Sequence, residues 1–237
     1  MNRLPVLVVG DVHGDLQRLF QALRPYPPDQ WETLFLGDLV NRGPFGVGAL
    51  RYARDRPHST VLLGNHEVAL LQAVRDPAAR GSFLSVGGQL HDLQELRRDE
   101  PLQEWLRDRP GMLKLEDGTL AQHSGHDGYG QLIDHDEPDP VAAINARIGE
   151  LLRKDGEDEL WYVLSPKDHF RDSRPRLEAW LRRTGARRLL HGHTPHRRRE
   201  PDAYHDGLAI NFDGGFFTRR SPVRASVSPL PALPLTF

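Results

Sequence analysis

Short apolar runs that end in a turn and then a polar residue recur along the chain. They read Val6–Val9 into Gly10-Asp11-Val12-His13, Thr33–Leu36 into Gly37-Asp38, Val61–Leu63 into Gly64-Asn65-His66, Leu120-Ala121 into Gln122-His123, and Leu189-Leu190 into His191-Gly192-His193. Runs this short and this rich in Val and Leu suit buried strands. Between them the spacing changes to that of a helix. Asp15 to Arg24 brings Leu16, Leu19, Phe20 and Leu23 to one face and stops at Pro25. Phe45 to Arg54, Val68 to Val74 and Leu90 to Leu106 also read as helices, the last broken near Pro101. Asp139-Pro140 opens a helix to Leu152 as a cap followed by proline, and Ser173 to Arg183 is closed by Gly185. Strand and helix alternating in this way is an α/β order. In open α/β sheets ligands bind beyond the carboxyl ends of the strands, where each of these polar residues falls.

The 237 residues are enough for one such domain with a real core, expected over residues 1–220. Residues 221–237 read as a proline-rich tail that either lies over the domain as an edge strand or frays. Thirty-one basic against 33 acidic residues leave a formal charge of −2, which advertises neither a nucleic-acid nor a membrane partner. The N-terminal apolar stretch of about five residues is too short for a secretory h-region, and no run approaches the ~18 apolar residues of a membrane span, so a cytoplasmic location is expected. Cys is 0, which removes disulfides, thiolate zinc sites and cysteine nucleophiles together. Any metal must sit on His, Asp, Glu or Asn.

Those donors stand at the ends of the apolar runs. Asp11 and His13 are two apart at the mouth of the first strand, so extended backbone would point both side chains to one side. Asp38 and Asn65 each follow a glycine that lets backbone approach a ligand closely; His123 and His193 close the fourth and fifth runs. Two carboxylates, one amide and three imidazoles without a thiolate suit two divalent first-row ions better than a single structural zinc.

The blocks Gly10-Asp11-Val12-His13-Gly14, Gly37-Asp38-Leu39-Val40-Asn41-Arg42-Gly43, Gly64-Asn65-His66-Glu67, His123-Ser124-Gly125 and Gly192-His193-Thr194 resemble, in order, the signature of the calcineurin-like metallophosphoesterases. They are most similar to the branch holding the serine/threonine phosphoprotein phosphatases, the phage lambda phosphatase and the symmetrical diadenosine tetraphosphatases. The resemblance runs from about residue 6 to about residue 215 and implies a two-sheet sandwich flanked by helices. It also implies that Asp11 and His13 hold a first metal, that Asp38 bridges both, and that Asn65, His123 and His193 complete the second. His66 would then be the general acid and Arg42 the clamp on the phosphoryl oxygens. Two cations about 3.5–4 Å apart supply hydroxide near neutral pH and neutralise phosphoryl charge, a histidine titrates in the right range to protonate the leaving oxygen, and an arginine offers a planar donor fork.

Several positions depart from this pattern or lie beside it. Asn41 stands where protein phosphatases of the branch carry the Asp that orients the acid histidine; it can accept a hydrogen bond from an imidazole but cannot stabilise an imidazolium by charge. Glu67 follows the block's His where the tetraphosphatases usually have Asp. Arg171 and Lys167 both compete for the place of a second phosphate-binding cation. His191 reads as a buried supporting histidine, and Asp213, before a Gly-Gly turn, as support behind the ligands. The run His196-Arg197-Arg198-Arg199 and the acidic stretch Asp134 to Asp139 read as solvated surface, and Trp105, Trp161 and Trp180 as core.

The activity expected is dinuclear-metal-dependent hydrolysis of phosphomonoesters, with phosphoserine or phosphothreonine in protein as the first substrate class and manganese as the first metal, Fe, Zn, Co or Ni being alternatives. A dinucleoside polyphosphate or a nucleic-acid 5′ end is the alternative substrate. A non-catalytic phosphate-binding module is a third reading, and loss of a ligand or of His66 would mark it.

Overall fold

A computed structural model describes residues 4–218 and 221–232. Three apolar runs become the parallel strands β1 (Val6–Val9), β2 (Glu32–Phe35) and β3 (Ser59–Val61), with Val8 opposite Leu34 and Phe35 opposite Val61. A second sheet is built on β4 (Met112–Lys114), β5 (Thr119–Gln122), β6 (Arg188–His191), β7 (Asp202–Tyr204) and β8 (Ala209–Asn211), in the order β4-β5-β6-β8-β7. Its central strands β5, β6 and β8 are parallel, and β4 and β7 are antiparallel edges. The first sheet is completed by β9 (Val227–Pro229), antiparallel along the free side of β1. A proline is tolerated there because an edge strand needs fewer ladder donors. Residues 219–220 and 233–237 of the expected domain boundary and tail, including Pro234, lie outside the described residues.

The two sheets face each other through one set of alternating side chains. Val8, Leu34, Leu36 and Leu62 meet Ala121, Leu190, Ile210 and Phe212. The intervening positions, such as Leu7, Val9, Phe35 and Leu189, point outward into the larger core that the helices cover. With both faces buried, the strands lack the polar alternation of a half-exposed sheet.

Helices α1 (Leu16–Leu23), α2 (Gly46–Asp55), α3 (Asn65–Arg75), α4 (Arg80–Ser85), α5 (Leu90–Leu96), α6 (Glu100–Arg107), α7 (Pro140–Arg153), α8 (Glu157–Leu164) and α9 (Arg174–Thr184) flank the sheets. Most end where the sequence predicts. Asp15, Asp99 and Asp139 accept main-chain N–H groups at the starts of α1, α6 and α7, and Gly185 closes α9 with φ 61°. The span 90–106 is two helices, because Asp99 caps a new one with Pro101 in its first turn. One expectation changes, since α3 begins at Asn65 and not at Val68, and a helix that the apolar pattern does not predict, α8, spans 157–164. No helix of the described residues is long and apolar enough to cross a membrane.

Candidate active site

The carboxyl ends of the parallel strands in both sheets open onto one place. His13, Asp38 and His66 bring one ligand atom each within 4.8 Å of one another, and so do Asp38, His123 and His193. Asp38 belongs to both groups. Its Oδ2 lies 3.9 Å from His13 Nε2 and 3.7 Å from His66 Nε2, while Oδ1 is 3.4 Å from His123 Nε2. Asp11 joins the first group through Oδ2, 3.7 Å from His13 Nε2, and its Oδ1 accepts the His193 N–H at 2.9 Å. Asn65 Oδ1 and His193 Nδ1 stand 3.0 and 3.1 Å from His123 Nε2. The six residues expected as ligands are thus gathered around one shared carboxylate.

The local backbone differs from the extended path expected between Asp11 and His13. β1 stops at Val9, and His13 lies in a turn with φ 50°. Asp38, Asn41, Arg42 and His193 are left-handed as well, at φ 54°, 68°, 63° and 66°. Such backbone costs an L-residue about 1–2 kcal/mol and persists where the surroundings over-determine it. Here the surroundings are specific. The N–H groups of Val12 and His13 both donate to Asp38 O, at 3.0 and 2.9 Å. Glu67, fully buried, accepts the N–H groups of Asp38 (2.8 Å), Leu39 (2.8 Å), Val40 (3.2 Å) and Gly64 (3.0 Å). Four main-chain donors on one carboxylate fix the loop that carries Asp38, and Asp38 Oδ1 in turn accepts the His66 N–H at 3.1 Å. Gly64 is required by the close approach: a Cβ there would stand 2.3 Å from Asp38 Oδ1.

Each of the three imidazoles expected as ligands is oriented by a main-chain carbonyl. His13 Nδ1 reaches Val40 O (3.1 Å), His123 Nδ1 reaches Leu36 O (2.9 Å) and His193 Nε2 reaches Ser165 O (2.8 Å). A ring nitrogen that donates outward leaves the lone pair of the other pointing inward, the arrangement of a metal-binding histidine. His13 Nε2 is buried and has no hydrogen-bond partner.

Charge in the site is unbalanced in the same sense. Burial raises the Asp11 carboxyl well above its ordinary range, and the charges of Asp213 and Asp38 raise it further. Burial and Glu67 do the same to Asp38, and burial takes Asp213 up to about 6. Burial pushes His13 down to about 3, with Arg42 adding repulsion, and His193 down to about 4; His123 falls too. Crowded carboxylates and neutral imidazoles, with one lone pair left without a partner, are the donor set that divalent cations satisfy. The residues fit such ions.

His66 sits at the first turn of α3 with Asn41 Nδ2 2.7 Å from its Nδ1, and Nε2 faces Asp38 and Arg42 Nη2, the latter at 3.5 Å. Asn41 Oδ1 is buried and unpartnered. Rotating the amide would bring that oxygen to Nδ1–H, as an imidazolium with protons on both nitrogens needs. Arg42 lies over the Phe217 ring at 4.9 Å, and Phe217 also meets His13 edge-on at 5.2 Å. Trp161 meets His66 edge-on at 6.3 Å. The sequence places Glu67 in the block that carries Asn65 and His66 but not its role as acceptor of the loop N–H groups; Phe217 has no sequence signal, and Trp161, expected in the core, is half-buried.

The remaining candidates are placed differently. Arg171 is held by Asp202 at 2.9 Å and lies over Tyr204 at 4.5 Å, whereas Lys167 is exposed and its charge acts on His193. His191 is buried, with Nε2 2.9 Å from the Tyr204 hydroxyl and Nδ1 3.1 Å from Gly192 O. Asp213 accepts the Gly215 N–H and leaves Oδ2 without a partner beside the ligands. Arg197, Arg198 and Arg199 are exposed, as expected.

Residues 4–197 match the calcineurin-like phosphoesterase family, and the chain belongs to it. The symmetrical bis(5′-nucleosyl)-tetraphosphatase of Methylococcus capsulatus is 36% identical over 126 residues, 52% of this chain and 43% of that protein. The enzyme of the same name from Marinomonas sp. is 36% identical over 160 residues, 66% of this chain and 55% of that protein. The chain spans about half the length of the curated relatives it matches. A cold-active protein-tyrosine phosphatase from a psychrophilic Shewanella species has the same fold, with a TM-score of 0.66 at 18% identity, covering 97% of this chain and 81% of that one. The two-sheet calcineurin-like fold expected from the sequence is the one observed.

Proposed function

We propose that the protein is a dinuclear-metal-dependent hydrolase of phosphoanhydrides in dinucleoside polyphosphates, with manganese as the preferred ion. The names of the curated relatives favour this substrate class over phosphorylated protein, the class expected first. The observation in the site that carries the reading is the partner of His66, an amide from Asn41 and not a carboxylate. A serine alkoxide leaves only with strong proton assistance. A nucleoside diphosphate leaves with a terminal phosphate whose second pKa is about 6, so an acid without a charged partner suffices.

In this reading Asp11 and His13 hold one cation, Asn65, His123 and His193 the other, and Asp38 both. The bound ions supply Lewis-acid activation of water and neutralisation of phosphoryl charge. Arg42, held against Phe217, binds the non-bridging oxygens of the phosphoryl group under attack. His66 delivers a proton from Nε2 to the bridging oxygen as the P–O bond to the leaving diphosphate breaks. Glu67 keeps Asp38 in place throughout. Water adds across one anhydride, so diadenosine tetraphosphate yields two molecules of ADP.

The test is a side-by-side assay of the manganese-loaded protein on diadenosine tetraphosphate, a phosphoserine peptide and p-nitrophenyl phosphate, with products resolved by ion-exchange chromatography. The expected result is ADP as the product and the dinucleotide as the preferred substrate. Preference for the phosphopeptide would reverse the proposal.

A further inference from the structure

An aromatic cleft begins where the site ends on the His66 side. It lies between α3, α4 and α8, has a volume of about 370 Å³, and is lined among others by Ala69, Gln72, Phe83, Asp158, Trp161 and Tyr162. Ala69 is one turn along α3 from His66, and Trp161, which lines the cleft, also touches the His66 ring. The cleft and the phosphoryl site therefore share a wall. Tyr162 is 77% exposed at its edge, an unusual place for a large aromatic side chain in this molecule. Gln72 Nε2 donates to Asp158 Oδ1 at 2.7 Å, which holds the carboxylate at the rim with its second oxygen available.

We propose that this cleft binds the purine base of the leaving nucleoside diphosphate, two phosphates and one ribose away from the phosphoryl group under attack. The inference rests on the dinucleotide reading above. Aromatic side chains offer stacking surface to any base, and the Asp158 carboxylate accepts an N–H from the exocyclic amine of adenine or the N1 and N2 groups of guanine. The flank at Arg42 is a poorer host. There Phe217 already covers the Arg42 guanidinium, and the cavity beside it is about 180 Å³, below the roughly 300 Å³ at which small-molecule pockets begin.

Two exposed positions test this without disturbing the core: Tyr162→Ala removes stacking surface, and Ser82→Trp fills the cleft. For each, kcat/KM for diadenosine tetraphosphate is divided by kcat/KM for p-nitrophenyl phosphate, which has no base. Both variants should lower this ratio about tenfold or more, and ADP should quench tryptophan fluorescence in the wild type but far less in Ser82→Trp after subtraction of the added indole. If the wild type cleaves the dinucleotide and both variants keep its ratio within twofold, the cleft is not the base site while the proposed function stands. If the wild type cleaves p-nitrophenyl phosphate and never the dinucleotide, both proposals fall.

Discussion

The two sheets bring different chemistry to one site and brace each other there. The first contributes Asp11, His13, Asp38, Arg42, Asn65 and His66; the N–H groups of Asp38, Leu39, Val40 and Gly64 converge on the buried Glu67 carboxylate, and those of Val12 and His13 on Asp38 O. The second contributes His123 and His193, whose rings are aimed by carbonyl oxygens. One of those carbonyls, Leu36 O, belongs to the first sheet. Asp11 Oδ1 in turn accepts the His193 N–H, so each half is oriented partly by the other. A carboxylate is positioned by donors and an imidazole by acceptors, and His13 of the first half is aimed by Val40 O just as the rings of the second half are aimed by their carbonyls.

The largest disturbance is expected at the residue common to both halves. Asp38→Asn should reduce manganese-dependent turnover of p-nitrophenyl phosphate about a thousandfold or more, because it withdraws one charged oxygen from both cations; retention of full turnover would show that the halves do not meet there. On the first sheet alone, His66→Asn should lower turnover about a hundredfold or more with metal content unchanged by elemental analysis. Lost metal in that variant would make His66 a ligand, a role its 3.7 Å distance from Asp38 permits.

Glu67→Ala probes how the first half is held. Four buried N–H groups lose their acceptor, and destabilisation of about 3–5 kcal/mol is expected in urea titrations. A loss below about 1 kcal/mol would mean that other contacts fix the loop. The second half offers the smallest and most conditional effect. His126, buried near His169, is pushed by burial from the ordinary 6.5 down to about 3. The unfolded chain takes up a proton below pH 6.5 that the folded chain refuses until about pH 3, so this group's contribution is intact above 6.5 and erodes as pH falls, by about 1.4 kcal/mol per unit. His126→Gln should flatten the fall in thermal midpoint between pH 7 and pH 5; an unchanged slope would mean that other groups carry the acid sensitivity.

Much of this arrangement was legible in the sequence because strand ends and glycines punctuate it. Asp38, Asn65, His123 and His193 could be placed from the runs before them, and Asp15, Asp139 and Gly185 mark helix ends by chemistry that acts within a few residues. What was hidden depends on distant contacts. Nothing adjacent to His13, Asp38 or Arg42 announces left-handed backbone, since these are not glycines; the cause is a carboxylate from α3 and main-chain donors from another loop. α8 escaped notice because Glu157-Asp158-Glu159 opens it with charges, and its apolar side faces α3. β7 and β8 are each too short to show a period, whereas β9 realises the edge-strand alternative read for the tail.

The strand that closes the first sheet has a kinetic consequence. Leu7 pairs with Pro229 across nearly the whole described chain, while the other neighbour of β1 is β2, supplied from residues 32–35. The β1–β2 unit can form from local sequence, but its outer edge stays open until the far segment returns, and contacts of such long range form slowly. A refolding experiment should therefore find amide protons bonded between β1 and β2 protected before those between β1 and β9, leaving an interval in which an unpaired strand edge lies beside the site-bearing loops and is open to association with other chains.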